Sequence, residues 1–350
     1  MKLVVLPGDG IGPEITAATL NVLEAARIRF GLPLELHEDI VGHASLKEHG
    51  VTVTDSLLER VRDSDGLILG PAATFEFKDP TRGEINPSMF FRKRLDLFAN
   101  IRPSRSYEGV PSKVGRFDLV VVRENTEGFY TDRNMENGNG EILVTKDVSI
   151  ALRRITRQCC ERIARTAFAL ARTRGRYLTF VHKANVLKTS DGMFLDICRE
   201  VGEAFPDVRT DDVLIDAMMA HVVRAPSRFD VIVTTNMYGD ILSDLTAELS
   251  GSLGMGGSLN AGTDHAMAQA SHGSAPDIAG RDIANPISLI LSTAQLLAWH
   301  GQRTDDSRFT DAAAGMEAAV GSALRSRTAT KDVGGNLGTQ DAGKAIAALI

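Results

Sequence analysis

The sequence predicts an α/β protein layered around a largely parallel sheet. Three observations carry that expectation. Short β-branched runs, such as Asp118-Leu-Val-Val-Val-Arg123 and Asp230-Val-Ile-Val-Thr-Thr235, alternate with helical stretches along the chain. The composition is 43% hydrophobic and 24% charged, which excludes disorder, collagen and coiled coil as descriptions of the whole. The 350 residues, at roughly 150 per domain, allow about two domains or lobes.

Residues 2–6 read as a strand, and 13–27 as a helix whose first turn suits Pro13. A strand is expected near 34–40, a helix near 54–62, and a buried strand over Asp65–Gly70. Residues 88–98 look helical, 118–123 form the clearest strand, and 148–173 read as one long helix. A strand at 177–181 precedes a helix from about 190 to 203. Strands at 213–215 and 230–235 each lead into a helix, and helices near 285–300, 308–326 and 339–350 close the chain. The one Gly/Asn-rich bridge, Asn134–Gly140, reads as a hairpin or projecting loop. No proline-rich linker divides the chain, so interwoven lobes are expected.

Lys+Arg is 39 against 45 for Asp+Glu, a net charge of −6, with a pI of 5.8. That balance argues against a dedicated nucleic-acid binder, which would show a basic face. The cysteines Cys159, Cys160 and Cys198 have no metal spacing. Their low, odd number fits a reducing compartment. Met1–Gly8 reads as strand and turn, without an apolar stretch of signal-peptide length. No run of about 18 apolar residues would span a membrane.

Five segments hold candidate chemistry. Gly8-Asp-Gly-Ile-Gly-Pro13 follows a strand, but a dinucleotide fingerprint needs glycine where Pro13 stands, so a tight structural turn explains it as well. Asp240 and Asp244 in Thr234-Thr-Asn-Met-Tyr-Gly-Asp-Ile-Leu-Ser-Asp244 share one helical face. Like charges at that spacing repel unless a cation lies between them, and hard oxygen donors suit Mg²⁺ or Mn²⁺. The other reading is acids complementing a helix dipole. Asp216, at another strand end, is a candidate third carboxylate. Arg92, Lys93, Arg94, Arg102 and Arg123 form a basic cluster suited to carboxylates. A solvated helix face accounts equally for Lys93 and Arg94, whereas Arg123 follows apolar residues and would be costly to bury unpaired. Lys183, in Val181-His-Lys-Ala-Asn-Val186, is a candidate base if its pKa is lowered, or an ordinary surface lysine. Tyr130 is a candidate acid or an interface aromatic. Finally, His272-Gly-Ser-Ala-Pro-Asp277-Ile-Ala-Gly280 is rich in small residues that let a ligand approach the backbone, and Asp277 suits a ribose diol. Read alone, this segment is also a plain loop before a helix at Pro286.

Taken together, these segments resemble the isocitrate/3-isopropylmalate dehydrogenase family of β-decarboxylating hydroxyacid dehydrogenases. The resemblance runs from Leu6-Pro-Gly-Asp-Gly-Ile-Gly-Pro-Glu14 to Gly334-Gly335 and Thr339. Between them lie Arg92…Leu95-Asp-Leu-Phe-Ala-Asn-Ile-Arg102-Pro103, Arg123-Glu-Asn-Thr-Glu-Gly128, His182-Lys-Ala-Asn-Val186, Thr234-Thr-Asn…Asp240…Asp244 and His272-Gly-Ser-Ala-Pro-Asp277. It implies an isopropylmalate dehydrogenase-like two-lobed α/β fold with a large central mixed sheet, not a Rossmann fold. Residues 1–98 with 250–350 would form the large cofactor-binding lobe, and 99–249 the small lobe carrying the dimer interface. It also implies a homodimer with shared active sites, a cytoplasmic location, and no nucleic-acid or membrane partner. The Asn134–Val144 segment is a candidate intersubunit arm.

By position, the resemblance assigns Arg92, Arg102 and Arg123 to the malate carboxylates, with Ser88, Met89 and Asn185 also at the substrate. Tyr130 would be the proton donor and Lys183 the base. Asp240, Asp244 and a partner's Asp216 would bind Mg²⁺ or Mn²⁺. His272, Gly273, Ala275, Asp277, Ile278 and Asn285 would hold NAD. NADP-using relatives carry a lysine–tyrosine pair where this chain has Asp277-Ile278, and an aspartate repels a 2′-phosphate. For the substrate, Met89, Phe90 and Val186 point to a mostly apolar wall and to 3-isopropylmalate. Asn86 and Ser88 fall where isocitrate enzymes place serine and asparagine. Isocitrate, homoisocitrate, tartrate and D-malate stay open, although position 89 lacks the arginine that homoisocitrate would favour. Gln269-Ala-Ser271 departs from the usual Glu-Pro-Val type sequence of relatives. A catalytically silent regulatory subunit would lack the lysine, tyrosine or aspartates, all of which are present. A metal-free module binding through the arginines alone is the other competing reading.

Overall fold

The computed structural model describes residues 1–130, 135 and 140–350. The chain runs β1 (Lys2–Leu6), α1 (Gly12–Phe30), β2 (Glu35–Glu38), α2 (His43–His49), α3 (Asp55–Arg62), β3 (Gly66–Leu69) and α4 (Pro87–Arg94). There follow β4 (Ala99–Arg105), β5 (Asp118–Glu124), β6 (Glu141–Thr145), β7 (Val148–Ala151), α5 (Arg157–Arg172), β8 (Tyr177–His182) and α6 (Ser190–Gly202). Next come β9 (Arg209–Leu214), α7 (Ile215–Arg224), β10 (Val231–Thr234) and α8 (Asn236–Ser250). The last part is β11 (Leu259–Ala261), β12 (Ala266–Gln269), α9 (Ile287–Thr304), α10 (Ser307–Arg325) and α11 (Thr339–Ala347).

Ten strands form one sheet in the order β2-β1-β3-β12-β11-β4-β5-β10-β8-β9. The first four are parallel to one another, as are the last four. Antiparallel β11 and β4 join the blocks, so the blocks run in opposite directions. The sheet is therefore mixed.

Both faces are covered, as strand alternation requires. In the first block Leu3, Val5, Ile68 and Ala268 pack on α1, α9 and α10, while Val4, Leu6, Leu67 and Met267 pack on α3 and α4. In the second block Val120, Val122, Phe180 and Val233 meet α5 and α6. There Val121, Val181 and Ile232 meet α7 and α8.

Some sequence expectations are corrected. Residues 148–173 are not one helix. Val148–Ala151 pairs with β6 in a separate two-stranded sheet, and α5 starts only after Thr156, whose Oγ1 accepts from the Cys159 N–H at 3.3 Å. The helix expected over 88–98 stops at Arg94. Asp96 takes a positive φ of 47° there, and Ala99 already belongs to β4. The strand expected at 213–215 begins at Arg209 and hands over to α7 at Ile215. Of the expected Asn134–Gly140 loop, residues 134 and 136–139 lie outside the described residues. Among the described residues no helix is long and apolar enough to cross a membrane, and the three cysteines are buried and free.

Candidate active site

The site begins with an inverted pattern on β4. Asn100, Arg102 and Ser104 alternate onto one face and are buried against α8, although they are the polar residues of the strand. Arg102 donates to Asn100 Oδ1 (2.6 Å), Ser243 Oγ (2.8 Å) and Asp244 Oδ1 (3.1 Å), and lies 3.1 Å from Asp240. On the neighbouring strand Arg123 is 1% exposed. Its Nε and Nη2 donate to Asn236 Oδ1 at 3.0 and 2.6 Å, and its Nη1 donates to Asp240. Its stem fits under α8 because position 239 is glycine. A Cβ on Gly239 would lie 2.6 Å from Arg123 Cγ.

Two buried guanidiniums thus converge. Burial, and then the charge of Arg123, push the Arg102 pKa below its ordinary value. Such a pair calls for anions. Burial alone would raise the Asp240 carboxyl, but Arg123, Arg102 and the Tyr130 hydroxyl, which donates to it, hold it below the usual range. Burial and then the Asp240 charge, against the pull of Arg102, leave the Asp244 carboxyl raised. A cation between these aspartates would relieve that repulsion.

Arg92, Arg102, Arg123, Tyr130 and Asp240 line one cavity of about 240 Å³. Its remaining wall is mixed: Thr74, Asn86, Ser88, Gln269 and Ser271 are polar, and Pro71, Ala72 and Ala270 are small and apolar. The expected apolar wall is therefore not what closes this cavity. Phe90 and Phe91 turn into the core under β1 and β3, Met89 is not among the lining side chains, and Val186 is exposed. A larger cavity of about 440 Å³, near Arg154 and Arg162, holds only Lys93 of the candidate residues.

Lys183, Asn185 and Asp216 lie elsewhere on the chain surface. The Lys183 ammonium donates to Asp216 and, through that bond, lowers the Asp216 carboxyl pKa. Asn185 is exposed. The backbone N–H of Lys183 donates to the buried Asp191 (2.6 Å), which also accepts from Arg153 (2.5 Å). Sequence reading missed that support, because Asp191 lies beyond the strand-to-helix turn and its partner Arg153 is remote in the chain. Among the described residues no three His, Cys, Asp or Glu side chains gather where they could hold a metal. Asp240 and Asp244 fit a hard cation as two oxygen donors, and among the described residues no third acidic side chain joins them.

The cofactor candidates flank the same cavity, which reaches His272 and Gly273. Ile11 N–H donates to Ser274 O at 2.9 Å, so the Gly8–Pro13 turn braces this loop. A Cβ on Gly10 would lie 2.0 Å from that oxygen. Asp9 ties the turn further, accepting from the His43 and Ala73 N–H groups (2.8 and 2.9 Å). His272 Nε2 is buried and has no hydrogen-bond partner among the described residues. With open space at Gly273, this is the kind of orphaned donor or acceptor that a bound group satisfies. Asp277 is exposed, while Ala275 and Ile278 are half-buried. Asn285 is already engaged, donating to Asp332 (2.9 Å) and accepting from the Ile287 N–H (3.0 Å).

A two-block mixed sheet with an arginine–aspartate–tyrosine cavity beside it defines a class of hydroxy-acid enzyme, and sequence likeness agrees. The chain belongs to the isocitrate/isopropylmalate dehydrogenase family, whose profile matches residues 2–346. That family comprises oxidatively decarboxylating dehydrogenases. The chain is 41% identical to the 3-isopropylmalate dehydrogenase of Archaeoglobus fulgidus, over 100% of this chain and 99% of the relative. It is 40% identical to the isocitrate/homoisocitrate dehydrogenase of Thermus thermophilus, over 97% and 95%. The crystal structure of isocitrate dehydrogenase from Methylococcus capsulatus matches with a TM-score of 0.87 at 37% identity, covering 99% of this chain and 98% of that one.

Proposed function

We propose that this protein catalyses the NAD- and divalent-metal-dependent oxidative decarboxylation of a 3-substituted malate, with 3-isopropylmalate as the substrate. The observation that carries the reaction class is the convergence of Arg102, Arg123, Tyr130 and Asp240 on one cavity, with Asp244 bonded to Arg102 beside it. When bound, NAD would supply a hydride acceptor for C2, and Mg²⁺ or Mn²⁺ would supply Lewis acidity at the hydroxyl.

The chain's own residues do the rest. Arg92, Arg102 and Arg123 hold the two carboxylates and fix C2 and C3 in place. Asp240 and Asp244 hold the metal, completed by Asp216 from a second copy. Lys183 of that copy takes the C2 hydroxyl proton, and Tyr130 delivers a proton to C3 once CO₂ has left. Asp277 favours a ribose hydroxyl over a phosphate, which supports NAD.

A homodimer follows from this reading, since Lys183 and Asp216 do not line the cavity of their own chain. The β6–β7 hairpin offers apolar surface for it: Leu143 is 72% exposed, and Ile142, Val144, Val148 and Ile150 are exposed beside it. Residues 1–98 with 250–350, and 99–249, would move as the two lobes, and the cytoplasm is the proposed location.

A second reading, isocitrate, is favoured by the polar wall of Asn86, Ser88 and Gln269. The test is NADH formation with Mn²⁺ over 3-isopropylmalate, isocitrate, homoisocitrate, D-malate and tartrate. Turnover of 3-isopropylmalate supports the first reading, turnover of isocitrate the second, and none over the whole set refutes the reaction class.

A further inference from the structure

We propose that Asp191 and His182 are positioning residues for Lys183. They clamp the backbone on either side of it, so that its ammonium is presented to the second copy in one place. The inference rests on the shared-site reading above, in which Lys183 serves the partner's cavity, and names what aims it.

Lys183 stands just past the end of β8, where pairing with β9 and β10 stops. Its ammonium rides on a flexible four-carbon stem, so it can be no better placed than the Cα that carries it. The surrounding backbone is held at three points. The Lys183 N–H donates to Asp191 Oδ2 at 2.6 Å. Its carbonyl accepts from the Val186 and Leu187 N–H groups at 3.0 and 2.8 Å. The Ala184 N–H donates to His182 Nδ1 at 3.0 Å. Two of these three holds come from side chains, and both are buried, Asp191 at 0% and His182 at 4% exposure.

Each clamp is fixed from behind. Because the Ala184 N–H can only donate, His182 Nδ1 must accept, and the ring hydrogen sits on Nε2. Nε2 then donates to Asp212 (3.2 Å), which Arg199 holds in turn (2.9 Å). Asp191 lies in the first turn of α6 and gives its other oxygen to Arg153. Arg153 also donates to Ser190 Oγ (2.9 Å) and to Thr235 Oγ1 (3.1 Å), and lies over the Phe129 and Tyr238 rings. A buried carboxylate with a donor on each oxygen cannot turn without leaving one of them unpaired. A lysine that merely solvates the surface needs no such support. A base that works across a subunit boundary does, because about 1 Å of misplacement costs on the order of 10²-fold in rate.

Asp191→Asn breaks the clamp by one atom. The amide oxygen must face Arg153, which has only donors, so the amide NH₂ meets the Lys183 N–H, donor against donor. The experiment uses mixed dimers of an Asp244→Asn subunit with a Lys183→Met subunit, purified through two different affinity tags. Such a dimer holds one complete site, made by the aspartates of the Lys183→Met subunit and the lysine of the other. Asp191→Asn is added to one subunit or to the other. The readout is kcat with Mn²⁺, NAD and whichever malate the wild type turns over. A loss of about 10- to 100-fold is expected when it joins Asp244→Asn, whose lysine is in use, and of under about threefold when it joins Lys183→Met. His182→Leu should show the same asymmetry, and His182→Asn, whose amide oxygen can accept from the Ala184 N–H, should recover part of the loss. A thermal melt identifies a variant that has not folded, and the other position then decides. Equal losses in both placements overturn the proposal, since a merely structural role does not distinguish them, and so does no loss in either. An inactive parental mixed dimer, beside an active wild type, overturns the shared-site reading and this inference with it.

Discussion

Gly239→Ala tests how closely α8 is set against the two strands beneath it. The added Cβ would stand 2.6 Å from Arg123 Cγ, 2.7 Å from Arg123 Cβ and 3.2 Å from Thr234 Cγ2. Carbon atoms prefer about 3.5–4.0 Å, so relief requires a movement of about 1 Å. Arg123 cannot supply it: its Cβ is fixed to β5, and its head is held by Asn236 and Asp240. The helix must therefore lift, and Asp240, the next residue, lifts with it. Overpacking of this kind costs about 1–3 kcal/mol, against about 1 kcal/mol gained because alanine is the better helix former. The net loss of stability is small, roughly 0–2 kcal/mol. The loss of function is larger, because about 1 Å of misplacement at a reacting centre costs on the order of 10²-fold in rate. The assay is kcat at saturating Mn²⁺, together with Mn²⁺ affinity by electron paramagnetic resonance and a thermal melt. A variant with wild-type kcat and wild-type Mn²⁺ affinity would refute the claim that this contact positions the site.

Other predictions follow from the same geometry. Lys183→Met is expected to lower kcat by about 10²–10⁴-fold while leaving the melt unchanged, and near-normal turnover would remove the lysine from the mechanism. Mixing Lys183→Met with Asp244→Asn subunits should recover activity, because a mixed dimer contains one intact shared site. Failure to recover any in mixed dimers shown to form would argue for sites built within one chain. Asp277→Lys places a cation on an exposed loop. Charge-assisted contacts of about 1.5–3 kcal/mol should raise the NADP-to-NAD ratio of kcat/KM by roughly 10- to 100-fold, and an unchanged ratio would count against Asp277 as the discriminator. Burial of His300 where α9 meets α10, with the Phe309 ring edge-on to it at 4.7 Å, holds its pKa below the ordinary value. The folded state therefore binds fewer protons than the unfolded chain. The stabilisation is complete above about pH 6.5 and is lost as pH falls towards the folded pKa. The urea midpoint should drop between about pH 7.5 and about pH 5.5, and drop less in His300→Gln. Equal slopes would assign the acid sensitivity to other groups.

What could be read from the sequence, and what could not, follows from which forces act locally. Leu119–Val122 and Val231–Val233 announce their strands because apolar β-branched residues are buried on both faces. Strand β4 does not. After Ala99 its buried positions are Asn100, Arg102 and Ser104, its half-buried ones Ile101, Pro103 and Arg105, so the alternation points the wrong way. Strand β11 has three residues and β12 is half alanine, too short and too small to signal a strand. Asp240, Asp244, Arg102 and Arg123 could be placed because their spacing follows helix and strand periods. The partners that hold them, Asn236, Asn100 and Ser243, and the Asp191–Arg153 pair behind Lys183, carry no local signal. The polar cavity wall was hidden for another reason. Residues 86–90 sit on a helix start, and only the direction of that helix decides that Ser88 faces the cavity while Phe90 faces the core.

Strand β3 pairs with β12, yet the chain between Leu69 and Ala266 must emerge from the ribosome before that partner exists. At about 5–20 residues per second, translation leaves Leu67 and Leu69 on an open edge for on the order of ten seconds or more. Meanwhile β5, β10, β8 and β9 are complete and can assemble. The order of synthesis thus lets the middle of the sheet close first and leaves the β3 edge as the surface exposed longest.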